Sequence, residues 1–183
     1  SSLRQLCEVR LSDVSSVGAK AAQLGEACSI AGSIRTPGGF TIPFHHYLGH
    51  LETAHVASTI GPMLANAEFR ADGHRREAML AELRAQLEAG AVDVALIQNI
   101  QRRIRATAPD ARWILRSSTN AEDLAGFTGA GLYRSIVIPA HATDAQVADA
   151  LRQVWASVWL LGAYEEREWY RVPHERVAMA VLA

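Results

Sequence analysis

Between residues 116 and 131 the chain gathers side chains suited to handling an anion. Arg116, Ser117 and Ser118 come first, then the carboxylate pair Glu122 and Asp123, then Gly126, Thr128, Gly129 and Gly131. Glycines let the backbone approach a ligand and turn successive N–H groups toward one point. Hydroxyls add donors, and an arginine at a strand end supplies a fixed, two-pronged positive charge. The chemistry that fits is phosphate binding. Any one of these features also fits a polar turn whose side chains cap local backbone groups; their concentration in one short stretch exceeds what a turn needs. A second cation, Lys20, falls near the first turn of an expected helix. The macrodipole disfavours a cation there by a few tenths of a kcal/mol or more, and a phosphate at the same helix end would offset that cost. On spacing alone, an ordinary surface lysine is the competing reading.

The elements that must position these residues can be read from periodicity. Trp113-Ile114-Leu115 and the run 132–138 are β-like and flank the polar stretch, giving strand, loop, strand. Residues 3–14 alternate and predict a strand or extended arm. Residues 18–30 have helical spacing, with Ser15 and Ser16 as possible caps, Ala21, Leu24 and Cys28 on one stripe, and Gly32 as the stop. A turn from Thr36 leads into a short strand, and Pro43 opens a diffuse helical region reaching about Asn66. Amphipathic helices are expected over 74–89 and 93–106. In the second, Val94, Ile97, Ile100 and Ile104 form the buried stripe, and Gln98, Arg102 and Arg105 face outward. Thr143 and Gln146 have capping-box spacing ahead of one long helix through Val147, Leu151, Val154, Val158 and Leu161. Trp155 and Trp159 on it are expected in the core or against another domain. Residues 176–182 read as a buried strand ending without a turn or partner, as though at the edge of a larger domain.

Other candidates are weaker. His46 and His50 have the i, i+4 spacing of two metal ligands, but no cysteine or carboxylate pair nearby completes a set. Exposed or hydrogen-bonding histidines are expected instead. The pairs Arg75-Arg76 and Arg102-Arg103 read as solvated helix faces. The length of 183 residues fits one domain with a sizeable core, and 49% hydrophobic with 20% charged residues is ordinary globular composition. A formal net charge of −1 gives no reason to expect nucleic acid or an anionic membrane as partner. No apolar run is long enough to span a bilayer and no basic-then-apolar leader opens the chain, so a cytoplasmic location is expected. Cys7 and Cys28 lack metal-ligand spacing and are expected as two reduced core thiols.

The stretch from Arg116 to Leu124 resembles the RSSxxxEDL signature of the ATP-binding domain shared by phosphoenolpyruvate synthases, pyruvate phosphate dikinases, rifampicin phosphotransferases and α-glucan water dikinases. Residues 17–25 resemble the family's GGKxxxLG segment, with Ala19 at the second glycine, and residues 36–42 its PPGF strand. Residues 154–159 and 163–167 resemble its VWAS segment, and 177–182 the strand that follows. Residues 50–110 show no obvious match. The resemblance implies an α+β fold, a small mixed sheet surrounded by helices, forming the N-terminal portion of an ATP-grasp-like nucleotide-binding domain across 1–183. It implies ATP and Mg²⁺ as cofactors, with the metal ligands outside this stretch of chain. Lys20 and Arg116 would act catalytically on the phosphates, on one concave face. Ser117, Ser118, Glu122, Asp123, Gly126, Thr128, Gly129 and Gly131 would join them in binding the nucleotide, and residues 125–131 would order mainly around the anion. The implied reaction moves a phosphoryl group from ATP to an enzyme histidine and on to pyruvate, with phosphohistidine and acceptor domains elsewhere on the full chain. A glucan acceptor and a non-catalytic nucleotide-binding module are the alternatives.

Overall fold

The computed structural model describes residues 3–30, 38–121 and 131–183. The N-terminal arm is strand only over β1 (Arg4–Gln5) and then winds into 3₁₀ turns at Leu6–Glu8 and Leu11–Asp13. The Arg10 guanidinium bends it, donating to the carbonyls of Cys7 (2.7 Å) and Val9 (2.9 Å), while Arg4 pairs with Asp13 at 2.7 Å. A longer strand or extended arm, as alternation predicts, is therefore not formed. Helices α1 (Val14–Val17) and α2 (Ala19–Ser29) follow. The expected helix stop at Gly32 and turn from Thr36 lie outside the described residues.

Strand β2 (Phe40–Ile42) ends at Pro43, which caps α3 (Phe44–Thr53). The diffuse helical region resolves into α4 (Ala57–Ala65) and α5 (Ala67–Ala71), and the amphipathic pair into α6 (Gly73–Ala89) and α7 (Val94–Thr107). Asp72 and Asp93 cap α6 and α7 by accepting from first-turn N–H groups. Leu96, Ile97, Ile100 and Ile104 are buried on α7, but Val94 is 67% exposed. It is the first residue of the helix, and helical side chains lean toward the N-terminus, so it overhangs the packed surface.

Strands β3 (Trp113–Thr119) and β4 (Ser135–Ile138) precede α8 (Asp144–Ala156), which opens with the Thr143/Gln146 capping box. The single long helix expected here is interrupted. Ser157 donates to the Val154 carbonyl at 2.6 Å, a 3₁₀ turn covers Ser157–Trp159, and Leu160 is extended before α9 (Leu161–Trp169) begins. Trp155 and Trp159 are both buried in the core.

The final strand, β5 (Met179–Leu182), lies in the middle of a five-stranded sheet of order β1-β2-β5-β3-β4, antiparallel at every pairing. It therefore has partners on both sides, contrary to the expectation of an unpartnered end. Alternation gives the sheet two faces. Trp113 and Leu115 of β3 enter the main core with α3, α6, α7 and α8. On the other face Leu182 joins Leu6, Val9, Val17, Ala21 and Ala22 in a smaller cluster that seats α2.

The cysteine expectation is overturned. Cys7 and Cys28 form a disulfide with Cα atoms 5.0 Å apart, joining the first 3₁₀ turn to the C-terminal end of α2. Neither is a core thiol, since Cys7 is exposed and Cys28 half-buried. Packing of α2 on the arm brings them together, and a 21-residue separation in sequence carries no sign of that.

Candidate functional site

Gly18 is the hinge between α1 and α2, with φ of +78°. A Cβ there would sit 2.5 Å from the Ser118 carbonyl oxygen, so only glycine allows the helix junction to lie flat against β3. Ser118 completes the joint. It is fully buried, and its hydroxyl donates to the Val17 carbonyl at 2.8 Å and accepts from the Ala21 N–H at 3.0 Å. A strand serine thus caps a helix that begins about a hundred residues earlier in the chain.

That capped first turn carries Lys20. Its ammonium donates to the Ser117 carbonyl at 2.8 Å and lies 3.4 Å from the Ser117 hydroxyl. Among the described residues β4 pairs with β3 only as far as Arg116↔Ser135, while β5 continues along the other edge of β3 to Thr119, and the lysine takes up the Ser117 carbonyl. Ser117 itself is buried.

Arg116 is exposed and shares its sheet face with Ser118, the face on which α2 is seated. It borders an open groove of about 320 Å³ with Arg112, Ile114, Leu6, Leu24 and Leu182. Arg116 and the helix bearing Lys20 therefore lie on the same side of the sheet.

Glu122, Asp123, Gly126, Thr128 and Gly129 lie outside the described residues. Gly131 has φ of +79° with open space around it. Asn120, which carried no role in the sequence reading, donates from Nδ2 to the Arg176 carbonyl at 2.8 Å and accepts the Ala178 N–H at 2.9 Å. An asparagine just past a strand invites a side-chain to backbone bond, but its partners, more than fifty residues away, leave no local trace.

Of the two spaced histidines, His50 is a buried hydrogen-bonding group and His46 is half-buried. His50 is buried with Nε2 2.9 Å from the Leu87 carbonyl, and burial pushes the His46 pKa down to about 4, with His45 adding repulsion. Among the described residues no three His, Cys, Asp or Glu side chains gather as metal ligands.

An antiparallel sheet with helices on both faces, a lysine at a capped helix start and an arginine on the adjoining strand make up an α+β domain. The chain belongs to the family described as pyruvate phosphate dikinase, AMP/ATP-binding domain, whose model matches residues 14–183. It is thus the nucleotide-binding part of a kinase-type phosphotransferase family. No helix among the described residues is long and apolar enough to cross a membrane.

Proposed function

We propose that residues 1–183 form the N-terminal, phosphate-side portion of an ATP-grasp-like site. Its full chain, in our reading cytoplasmic, moves a phosphoryl group from ATP to an enzyme histidine and then to pyruvate, as a phosphoenolpyruvate synthase does. The observation that carries this reading is the Ser118 joint, which fixes the helix of Lys20 to the strand of Arg116 and so presents both cations from one rigid unit. Phosphoryl transfer depends chiefly on positioning and on neutralising charge over phosphate oxygens. Lys20 and Arg116 would supply that charge, Lys20 exchanging its bond to Ser117 for a phosphate oxygen. The glycines, Thr128 and the hydroxyl of Ser117 would add donors, and Ser118 would hold the geometry from below. Glu122 and Asp123 would orient the loop. Mg²⁺ would take its ligands from the rest of the full chain. The phosphohistidine and acceptor domains would be supplied by the rest of the chain.

Calorimetry with Mg-ATP tests the proposal. Residues 1–183 alone should bind no more tightly than about millimolar, some 4 kcal/mol. The full chain should bind more tightly and lose at least about tenfold with Lys20→Ala or Arg116→Ala, the scale of one charged hydrogen bond. Unchanged affinity in both variants would overturn it.

A further inference from the structure

Three buried polar atoms without partners belong to residues that line one cavity. The cavity, of about 300 Å³, lies between α3, which supplies His45, His46 and His50, the start of α7, which supplies Asp93 and Leu96, and α8, which supplies Trp155. Trp155 Nε1, His50 Nδ1 and His46 Nε2 are buried and have no hydrogen-bond partner among the described residues. As whole residues Trp155 is 1% exposed and His50 4%. Unpaired polar atoms at such depth are costly, and native interiors pair nearly all of theirs. Three around one space point to an occupant.

The chemistry of the lining narrows what that occupant is. An indole N–H can only donate. Burial lowers the pKa of His50, and that of His46 to about 4, so both rings are uncharged near pH 7. His50 Nε2 lies 2.9 Å from the Leu87 carbonyl, which can only accept, so Nε2 carries the proton and Nδ1 offers a lone pair. A donor on Trp155 thus accompanies an acceptor on His50, with the two ring centres 4.9 Å apart. Asp93 brings one negative charge to the lining, and Arg152, close enough to oppose protonation of His50, brings one positive charge near it. The two offset each other, so the site does not favour an ion, and among the described residues the histidines complete no metal-ligand set. The Trp155 indole and the His45 and His46 rings, 3.9 Å apart, give aromatic walls that suit a flat molecule. The volume is far larger than one bridging water needs and suits a single ring.

We propose that this cavity binds a small uncharged heterocycle that presents a hydrogen-bond acceptor beside a donor, as a cyclic amide or an amino-substituted ring nitrogen does. Trp155 donates to the acceptor, and His50 Nδ1 accepts from the donor. The inference is independent of the ATP reading. Helices α3, α7 and α8 pack in the main core, on the sheet face opposite α2, so the site lies across the sheet from Lys20 and Arg116.

Two single-ring probes, 2-pyridone and 2-aminopyrimidine, carry the donor–acceptor pair, and pyrimidine, which lacks the donor, is the control. Binding to the full chain is measured by saturation-transfer NMR in the presence of excess Mg-ATP, which keeps the probes out of a nucleotide pocket. Both probes should bind saturably and pyrimidine about tenfold more weakly, the scale of one buried hydrogen bond. His50→Gln keeps a donor for the Leu87 carbonyl but lacks the Nδ1 lone pair, and Trp155→Phe lacks the indole N–H. Each should weaken 2-aminopyrimidine binding by about tenfold. Thermal melting identifies a variant that fails to fold, and the comparison of probes on the wild-type chain then decides alone. Absence of saturable binding by both probes, which leaves the cavity to ordered water, overturns the proposal. So does equal binding of pyrimidine and 2-aminopyrimidine, or wild-type binding in either folded variant.

Discussion

Ser118 spends both its proton and a lone pair on the junction of α1 and α2, so alanine in its place strands two backbone groups at once. Leaving buried polar groups unpaired costs about 1–3 kcal/mol, and Ser118→Ala should lower the urea-unfolding free energy by that amount. Gly18→Ala should cost at least as much, since the added methyl meets the Ser118 carbonyl in a left-handed backbone. Gly162→Ala, in helix α9 with nothing within 4 Å, should instead be neutral or stabilise by up to about 1 kcal/mol. Equal losses at the two glycines would refute the joint. His46 adds a pH dependence. Its pKa falls from 6.5 to about 4 on folding, so between those values the unfolded chain binds the proton first. Stability conferred by the neutral ring is present above pH 6.5, is lost as pH drops through the window, and changes no further below 4. Because His46 is half-open to solvent, screening should hold its share to about 1–2 kcal/mol. The unfolding free energy of His46→Gln should accordingly vary less between pH 7 and 4.5 than that of the wild type. Lys20 and Arg116 could be picked out as candidates because a motif carries them in fixed order. The role of Ser118 was not, since its partners belong to a distant part of the chain.

Elements with strong local signals formed as their spacing predicts. The capping box at Thr143 and Gln146 starts α8, and Pro43 caps α3. The departures come where tertiary packing decides. Helical spacing runs unbroken through Leu161, yet the Ser157 hydroxyl diverts the backbone and the helix stops. Helix α2 shows the same dependence at both ends, capped by a strand at its start and tied by a disulfide near its finish. A crosslink closing a loop of this length limits the unfolded chain and is worth roughly 3 kcal/mol. The Cys7→Ser/Cys28→Ser variant, or dithiothreitol treatment, should lower the melting temperature accordingly. ATP affinity should fall by less than about twofold, because Ser118, not the disulfide, fixes the turn carrying Lys20. An unchanged melting temperature on reduction would show that the bond adds no stability.

At the level of the whole molecule, the order of the sheet makes the last strand the one that joins the rest. Without β5, β1 with β2 and β3 with β4 would be separate two-stranded ribbons, and such ribbons are marginal in water. The apolar run at 179–182 was legible as a buried strand, but its central place depends on pairings with residues 41–42 and 116–119, which no local pattern encodes. All four residues of β5 are buried, with Met179, Ala180 and Val181 in the main core and Leu182 in the cluster beneath α2. Leu182 thus supports the seat of α2 and pairs with Arg116, so it couples the cluster beneath α2 to the strand that carries Arg116. Leu182→Ala should cost about 2–5 kcal/mol, as for a buried leucine, and should loosen the α2 seat as well. Ile114→Ala, on the same face but 41% exposed, should cost less than half of that. Urea unfolding of both variants, with hydrogen exchange at the α2 amides, measures the two effects together. Faster α2 exchange in Leu182→Ala than in Ile114→Ala is the expected outcome. Equal exchange at matched stability would mean that Leu182 does not hold α2 in place.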